Sequence, residues 1–238
     1  MSSPIPPITL YDFHGSPCAR RVRVVLLEKG LGWETKLVDL TRMEQKRPEY
    51  LALNPNGVVP TLIHGDRVIY ESNVITEYLD TVFPEPRLYP QDPRTRAMAL
   101  ILEDWADESL YWHVVYERWQ VAEQFTKFAE VVFSPVPAAV RPMVKLLFAR
   151  QTRGQLRGQG LGRLGVGEQR EKFRAALDWL DSMVDGQFIC GAELSIADVA
   201  VAAQVAALNI PFTPLAEAEV HAHAKVMRWL ERTFDALG

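Results

Sequence analysis

The sequence predicts an α/β domain at the amino end followed by an all-α domain. The first eighty residues alternate strand-like and helix-like hydrophobic periods. Four prolines then fall within residues 84–93, and neither a helix interior nor a central strand tolerates them. Beyond this segment the apolar residues recur at helical spacing and no convincing strand appears. We therefore expect a sheet-containing domain over residues 1–83, a linker over 84–93 and a helical domain over 94–238.

The first three elements of the α/β domain form a β-α-β pattern. Residues 8–13 are a β-rich run, and residues 17–29 carry an amphipathic helix pattern that ends at Gly30. Residues 33–39 then alternate in the manner of a second strand. Two strands joined by a helix run parallel through a right-handed crossover, so we expect a parallel pair here.

The next elements form a β-β-α pattern. Residues 60–64 and 67–71 are β-rich, and Gly65-Asp66 between them is a two-residue connection of the hairpin kind. Ser72 is predicted to cap the helix that follows. A β-α-β unit followed by β-β-α is typical of a thioredoxin-like sheet layered with helices.

Two helix starts and one loop are predicted in the second half. Asp92-Pro93 offers an N-cap followed by proline at the first helical position. Ser195 and Asp198 have the three-residue spacing of a reciprocal capping box, which predicts stability rather than catalysis. Residues 154–167 are rich in glycine and arginine, and we predict a loop there.

Composition and charge exclude several classes of function. The 238 residues are 48% hydrophobic and 24% charged, which is close to the average of soluble globular domains. A formal net charge of -4 argues against sequence-independent nucleic-acid binding or adsorption to an anionic membrane. No window approaches the ~18 apolar residues of a membrane helix, and residues 1–7 lack the apolar core of a signal peptide.

Cysteine usage predicts a protein of a reducing compartment. The two cysteines, Cys18 and Cys190, are 172 positions apart and show no zinc-ligand spacing. A disulfide scaffold and a structural zinc site are therefore excluded. We expect a cytoplasmic protein.

The junction between the first strand and the first helix is the strongest candidate for chemistry. A helix N-terminus carries unpaired N–H groups and a partial positive charge, so it favours an anion such as a thiolate beside it. Ser16 immediately precedes Pro17 and could donate its hydroxyl proton to that sulfur, or serve only as an N-cap. Cys18 is a second candidate nucleophile or a small helix residue. Arginines 20, 21 and 23 are expected to face solvent, with pairing of one of them across domains or subunits as the alternative.

Three ordered motifs carry a resemblance to a known family. They are Ser-Pro-Cys-Ala-Arg-Arg-Val-Arg at 16–23, Asn-Pro-Asn-Gly-Val-Val-Pro-Thr-Leu at 54–62 and Glu-Ser-Asn-Val-Ile-Thr-Glu-Tyr-Leu at 71–79. Together they resemble the serine-type, zeta-, theta- or phi-like members of the cytosolic glutathione S-transferase superfamily. The resemblance covers residues 8–82 and implies glutathione as substrate or co-substrate, a homodimer and no metal.

The resemblance also assigns roles to individual residues. Ser16 would be the catalytic hydroxyl, at the position that holds cysteine in the cysteine-type classes. Val59 and Pro60 resemble the Val-cis-Pro pair that meets the cysteinyl backbone of glutathione. Glu71 and Ser72 resemble the acidic-serine pair that holds the γ-glutamyl end.

One position departs from the family pattern. Many relatives have Lys or Gln where this chain has Val58. The usual anchor of the glycyl carboxylate is thus missing, and Gln45 and Lys46 are the alternatives.

Three functional hypotheses follow. The first is a transferase in which Ser16 stabilises a glutathione thiolate that attacks a small hydrophobic electrophile. The second is a glutathione-dependent thiol exchange, lyase or isomerase activity in which Cys18 takes part. The third is a glutathione-binding protein with little catalysis. Tyr111 and Tyr116 are candidates for the hydrophobic electrophile site.

Overall fold

A four-stranded sheet forms the centre of the amino-terminal unit. The computed structural model describes residues 6–211 and 213–236, so the leader expectation for residues 1–7 lies largely outside it. It divides into two compact units, the first ending at Ala97 and the second beginning at Met98. The strands are β1 Ile8–Asp12, β2 Glu34–Leu37, β3 Thr61–His64 and β4 Arg67–Tyr70.

The sheet has the topology that the sequence predicts. Its strand order is β2-β1-β3-β4, with β1 and β2 parallel and the other two pairs antiparallel. The helices of this unit are α1 Pro17–Glu28, α2 Pro48–Leu51 and α3 Ser72–Val82. Fully buried apolar side chains pack the sheet against α1 and α3: Leu10, Val22, Leu26, Leu62, Ile75 and Leu79. The thioredoxin-like α/β prediction is therefore confirmed.

The proline-rich segment after α3 is tied to the first unit by a buried carboxylate. Asp80 accepts hydrogen bonds from the backbone N–H groups of Leu88 (2.8 Å) and Tyr89 (3.3 Å). Lys29 Nζ lies 2.8 Å from Asp80 Oδ1 and donates to the carbonyl oxygen of Pro86 at 2.8 Å. Because Leu88 and Tyr89 are themselves buried, this segment is packed structure rather than a loose connection.

The rest of the described chain is helical, as predicted. Asp92 accepts a hydrogen bond from Thr95 N at 2.8 Å, which confirms the predicted N-cap and lowers the pKa of Asp92. Among the described residues, no helix combines the length and the apolar character that crossing a membrane requires. The helices are α4 Pro93–Trp105, α5 Tyr111–Trp119, α6 Ala122–Val132, α7 Arg141–Gln159, α8 Val166–Met183, α9 Ile196–Leu208, α10 Pro214–Ala222 and α11 Ala224–Ala236, and a π-helical turn, Ala106–Leu110, joins α4 to α5.

Helix α9 is buried along its whole length, and the Asp198 carboxylate in its first turn accepts four hydrogen bonds. Asp198 Oδ2 accepts hydrogen bonds from Ser195 N (3.0 Å) and Ser195 Oγ (2.7 Å). Its Oδ1 accepts from Ile189 N and from Trp229 Nε1, both at 2.8 Å. The predicted reciprocal capping is confirmed, and the same carboxylate also joins the start of α9 to α11.

The loop predicted over residues 154–167 is wrong for its first half. Helix α7 continues to Gln159 and ends at Gly160, whose φ is 120°. Gly154 and Gly158 lie on the open side of the helix, where no atom comes within 4 Å of an added Cβ. Leu156 between them is fully buried, and its packing outweighs the weak helix propensity of the two glycines.

Candidate functional site

Ser16 lies at the turn that leads from β1 into α1. Its backbone is extended (φ -84°, ψ 120°), and its Oγ accepts a hydrogen bond from Ala19 N at 3.3 Å. Pro17 is the first helical residue, so the N-cap interpretation of Ser16 is confirmed. Within residues 6–211 and 213–236, no acceptor binds the hydroxyl proton of Ser16. The half-buried hydroxyl is therefore still free to donate to a ligand.

A partly buried ion pair holds the turn before Ser16. Arg23 Nη1 lies 2.6 Å from Asp12 Oδ1 and 2.7 Å from Asp12 Oδ2. Asp12 is fully buried, whereas the exposed His14 reaches it only at 3.5 Å. Sequence reasoning missed this pair because Asp12 looks like the polar end of a strand and Arg23 like a surface residue of α1. The pair fixes the direction in which the chain enters α1.

The Val59-Pro60 peptide bond is cis, as the resemblance implies. Tyr50 Oη and Asn54 Nδ2 both donate to the carbonyl oxygen of Val58, at 2.7 and 2.9 Å, and so hold the loop in place. Val58 itself is exposed. The N–H and C=O groups of Val59 have no hydrogen-bond partner in the described part of the chain. They are available to pair with the backbone of an extended ligand.

Glu71 and Ser72 differ from the predicted cap geometry. Ser72 is the first residue of α3 rather than its N-cap, and its buried hydroxyl accepts a hydrogen bond from the guanidinium of Arg21. The capping position belongs to Glu71, which has a positive φ of 67° with ψ 121°. Glu71 Oε1 accepts from Asn56 Nδ2 at 2.7 Å. The exposed carboxylate is thus held over the loop that carries Val59.

Arg21 corrects the expectation that the arginines of α1 face solvent. It is only 1% exposed, and its guanidinium joins α1 to the start of α3 through Ser72. Arg23 is likewise engaged, with Asp12. An arginine at a helical position carries no sequence signal of burial, and only the packing of α1 against α3 reveals this contact.

Gln45 and Lys46 lie on a short 3-10 turn, Glu44–Lys46, after β2. Gln45 is buried, with Nε2 3.8 Å from Met43 Sδ. Lys46 is exposed, and its Nζ donates to the carbonyl oxygen of Asn56 at 3.1 Å. Lys46 therefore carries its charge to the loop that precedes Val59, whereas Gln45 does not.

The remaining candidates lie in different surroundings. Cys18 is half-buried at the second position of α1 and is not in a disulfide. Tyr111 is partly buried, with its ring 5.3 Å from that of Trp112. Tyr116 is 1% exposed, and its hydroxyl donates to Leu164 O at 3.1 Å. This core position does not agree with the expectation that Tyr116 faces a substrate.

Together these residues present groups that can bind a small peptide-like molecule. The sheet-containing unit presents a hydroxyl at a helix start, an unpaired backbone N–H and C=O at Val59, and the carboxylate of Glu71. Among the described residues, no group of histidine, cysteine, aspartate or glutamate side chains could hold a metal ion. The chemistry that this arrangement supports is anion stabilisation at Ser16.

Two family models match the chain. Residues 15–82 match "Glutathione S-transferase, N-terminal domain", and residues 121–232 match "Glutathione S-transferase, C-terminal domain". The first matched segment contains Ser16, Val59, Pro60, Glu71 and Ser72.

Curated relatives show the same similarity. The chain is 50% identical to glutathione S-transferase 1 of Dianthus caryophyllus over 97 residues, or 41% of this chain and 44% of that protein. It is 26% identical to glutathione S-transferase D7 of Drosophila melanogaster over 208 residues, or 86% of this chain and 76% of that one. The segment that is 50% identical thus spans less than half the length of the Dianthus caryophyllus protein.

A solved structure extends the similarity to nearly the whole chain. The crystal structure of the β-etherase LigF from Sphingobium sp. strain SYK-6 matches with a TM-score of 0.73 and 25% identity. The match covers 94% of this chain and 93% of the LigF chain.

Proposed function

The chain belongs to the glutathione S-transferase family, and from this premise we propose that it is a glutathione-dependent transferase. The observation that carries the proposal is the free hydroxyl of Ser16 at the start of α1. In the proposed reaction the glutathione thiol loses its proton to solvent, and its sulfur accepts a hydrogen bond from Ser16. The thiolate then attacks a small hydrophobic electrophile. A carbon–sulfur bond forms as the leaving group departs with its electron pair.

We further propose how the tripeptide is held. Its cysteinyl backbone pairs with the N–H and C=O of Val59, which have no other partner among the described residues. Its α-ammonium meets the carboxylate of Glu71, and its γ-glutamyl carboxylate meets the start of α3 at Ser72. Lys46 is the anchor of the glycyl carboxylate, because its ammonium group reaches the Asn56 loop while Gln45 is buried.

Replacement of Ser16 tests this function. In Ser16→Ala we expect turnover with a general aromatic electrophile to fall by roughly 10- to 100-fold, because one donor to a developing or bound anion is lost. The dissociation constant of glutathione should stay within about threefold, since the other contacts remain. The apparent pKa of the bound thiol, read from thiolate absorbance against pH, should rise.

Ser16→Thr is the matched control, because it retains a hydroxyl at the same position. It should keep much of the turnover and most of the thiolate signal. Wild-type turnover in Ser16→Ala would remove Ser16 from the mechanism. Failure of the wild-type protein to bind glutathione would overturn the transferase proposal as a whole.

A second candidate function is glutathione-dependent ether cleavage. The observation that favours it is the similarity to the β-etherase LigF over almost the whole chain. In this reaction the thiolate attacks the carbon that carries the ether oxygen. The carbon–oxygen bond breaks, and the departing oxygen takes a proton. Release of a phenol from an aryl ether, measured beside conjugation of an aromatic halide, would decide between the two reactions.

Cys18 supports a third reaction, thiol exchange. It is a half-buried cysteine outside any disulfide, two residues beyond Ser16. Reduction of a mixed glutathione disulfide that is lost in Cys18→Ser and retained in Ser16→Ala would favour exchange. Strong glutathione binding without conversion of any electrophile would instead favour a binding protein.

We also propose a homodimer that works in the cytoplasm. Helix α7 presents an exposed apolar stripe, Met143, Leu146 and Leu147, which are 57–69% exposed in the single chain. Such a stripe is more typical of an interface than of a free surface. Light scattering should give a mass twice that of the 26.9 kDa chain. Leu146→Glu should lower the measured mass toward that of the single chain.

A further inference from the structure

The helical unit contains a cavity that the proposed glutathione site does not use. Its volume is about 460 Å³, which lies within the range of small-molecule pockets. It lies among the π-helical turn, α5, the end of α7 and α8. The residues that matter for its chemistry are Ser109, His113, Gln159, Leu161, Leu164 and Lys172.

His113 contributes a hydrogen-bond donor to this cavity. It is 4% exposed, and its Nδ1 lies 3.0 Å from Gln169 Nε2. An amide nitrogen can only donate, so Nδ1 accepts and the ring proton of the neutral imidazole is on Nε2. Burial, together with the charge of Lys172, lowers the pKa of His113 to about 4, which keeps the ring neutral at pH 7. In the described chain no residue accepts the Nε2 proton.

Lys172 contributes a positive charge. Its side chain lines the cavity from α8 and forms no ion pair within residues 6–211 and 213–236. None of the residues that line the cavity is acidic. A cation beside an unpaired donor, with no carboxylate to neutralise it, favours an anionic ligand.

Two further side chains have donors with no partner in the part of the chain that the structure describes. Gln159 Oε1 accepts from Leu161 N at 3.0 Å, which leaves its amide Nε2 without a partner among the described residues. The π-helical turn Ala106–Leu110 carries Ser109 four residues before His113, on the same side of the helix. Single π-helical turns inside helices often occur at functional positions. All four polar side chains of the cavity can thus donate, while Leu161 and Leu164 provide apolar walls.

We propose that this cavity is a binding site for a small organic carboxylate. The carboxylate accepts hydrogen bonds from the Lys172 ammonium and from Nε2–H of His113, and its apolar body packs against Leu161 and Leu164. The site uses residues of the helical unit only. Its test therefore needs neither glutathione nor turnover.

Benzoate is a suitable probe, with neutral benzamide as its matched isostere. Titration of the full-length protein, followed by calorimetry and by ligand-detected NMR, should show binding of benzoate. Benzamide should bind at least about fivefold more weakly, because charge-assisted hydrogen bonds are roughly twice as strong as neutral ones. Equal affinity for the two compounds, or no binding of benzoate, would overturn the proposal.

The variants place the ligand in the cavity. Lys172→Gln should weaken benzoate binding by roughly three- to tenfold without affecting the fold, since the side chain is exposed. Lys127→Gln is the control, because this exposed lysine of α6 pairs with Glu123 outside the cavity. Ala176→Phe fills the cavity from α8 and should abolish binding. Undiminished binding in both Lys172→Gln and Ala176→Phe would contradict the assignment.

Discussion

The starts of α1 and α9 are alike in sequence and opposite in chemistry. Each helix begins after a serine, Ser16 before α1 and Ser195 before α9. At Ser195 the hydroxyl and the backbone N–H both bind the Asp198 carboxylate, which is fully buried. At Ser16 the hydroxyl accepts one long hydrogen bond of 3.3 Å and keeps its own proton.

The difference shows what makes a helix start functional. No acidic residue occupies the first turn of α1, so no side chain of that turn competes with an incoming anion. In α9 the acidic residue Asp198 occupies the first turn, and its carboxylate binds the groups that an incoming anion would otherwise meet. Serine at the start of a helix is therefore ambiguous until the third residue of the helix is read beside it.

The largest expected effect on stability comes from removing the Asp198 carboxylate at the start of α9. Asp198→Ala should lower the free energy of unfolding by about 3–5 kcal/mol, because four buried donors lose their acceptor. Urea unfolding followed by tryptophan fluorescence measures it, and Trp229 reports from the site itself. Asp104→Ala, an exposed aspartate of α4, is the control and should stay within about 0.5 kcal/mol. A similar loss in both variants would contradict the special role of Asp198.

The next largest effect is the pH dependence of stability that the buried His113 causes. Its pKa falls from 6.5 in the unfolded chain to about 4 in the fold, so the unfolded state binds the proton first. The free energy of unfolding should therefore have its full value above pH 6.5. It should decrease as the pH falls toward 4, by about 3 kcal/mol in all.

The pH test compares wild type with His113→Gln by urea unfolding at several pH values. Burial raises the pKa of the neighbouring Glu117, an effect of opposite sign, and the difference between the two proteins cancels it. The variant should lose the decrease between pH 6.5 and 4. His221→Gln, an exposed histidine of α10, should retain it. Parallel curves for wild type and His113→Gln would show that the ring titrates normally.

A smaller effect is expected at Glu71, in the proposed glutathione site. Glu71 has a positive φ of 67°, which strains a residue with a side chain, and its carboxylate is exposed. Glu71→Gly should stabilise the fold by about 1 kcal/mol and weaken glutathione binding about tenfold. Glu71→Gln should weaken binding to the same extent with no gain in stability. Stabilisation in both variants would show that charge, and not backbone strain, is the cause.

How far the sequence predicts this molecule depends on the range of the interactions. The hairpin at Gly65, the capping box at Ser195 and the position of Ser16 are set by residues within a few positions of each other, and all were predictable. The burial of Arg21 joins positions 51 residues apart, and no local pattern carries it. The continuation of α7 past Gly154 likewise depends on the packing of Leu156.

The smallest effect is the most informative about Ser16. Its single cap bond is 3.3 Å long, near the upper limit for a hydrogen bond, and the site is half-buried. Ser16→Ala should therefore lower the free energy of unfolding by no more than about 0.5–1 kcal/mol. Ser195→Ala, measured in parallel, should cost more, because its hydroxyl bonds to a buried carboxylate at 2.7 Å.

If the Ser16 hydroxyl binds the ligand, Ser16→Ala should reduce turnover by more than its effect on the free energy of unfolding accounts for. A loss of turnover that exceeds about tenfold corresponds to more than about 1.4 kcal/mol of transition-state stabilisation. That is greater than the cap alone provides to the fold. A residue that only capped α1 would lose stability and leave the thiolate signal unchanged. Equal losses in Ser16→Ala and Ser195→Ala, with turnover retained in both, would make the two helix starts structural equivalents.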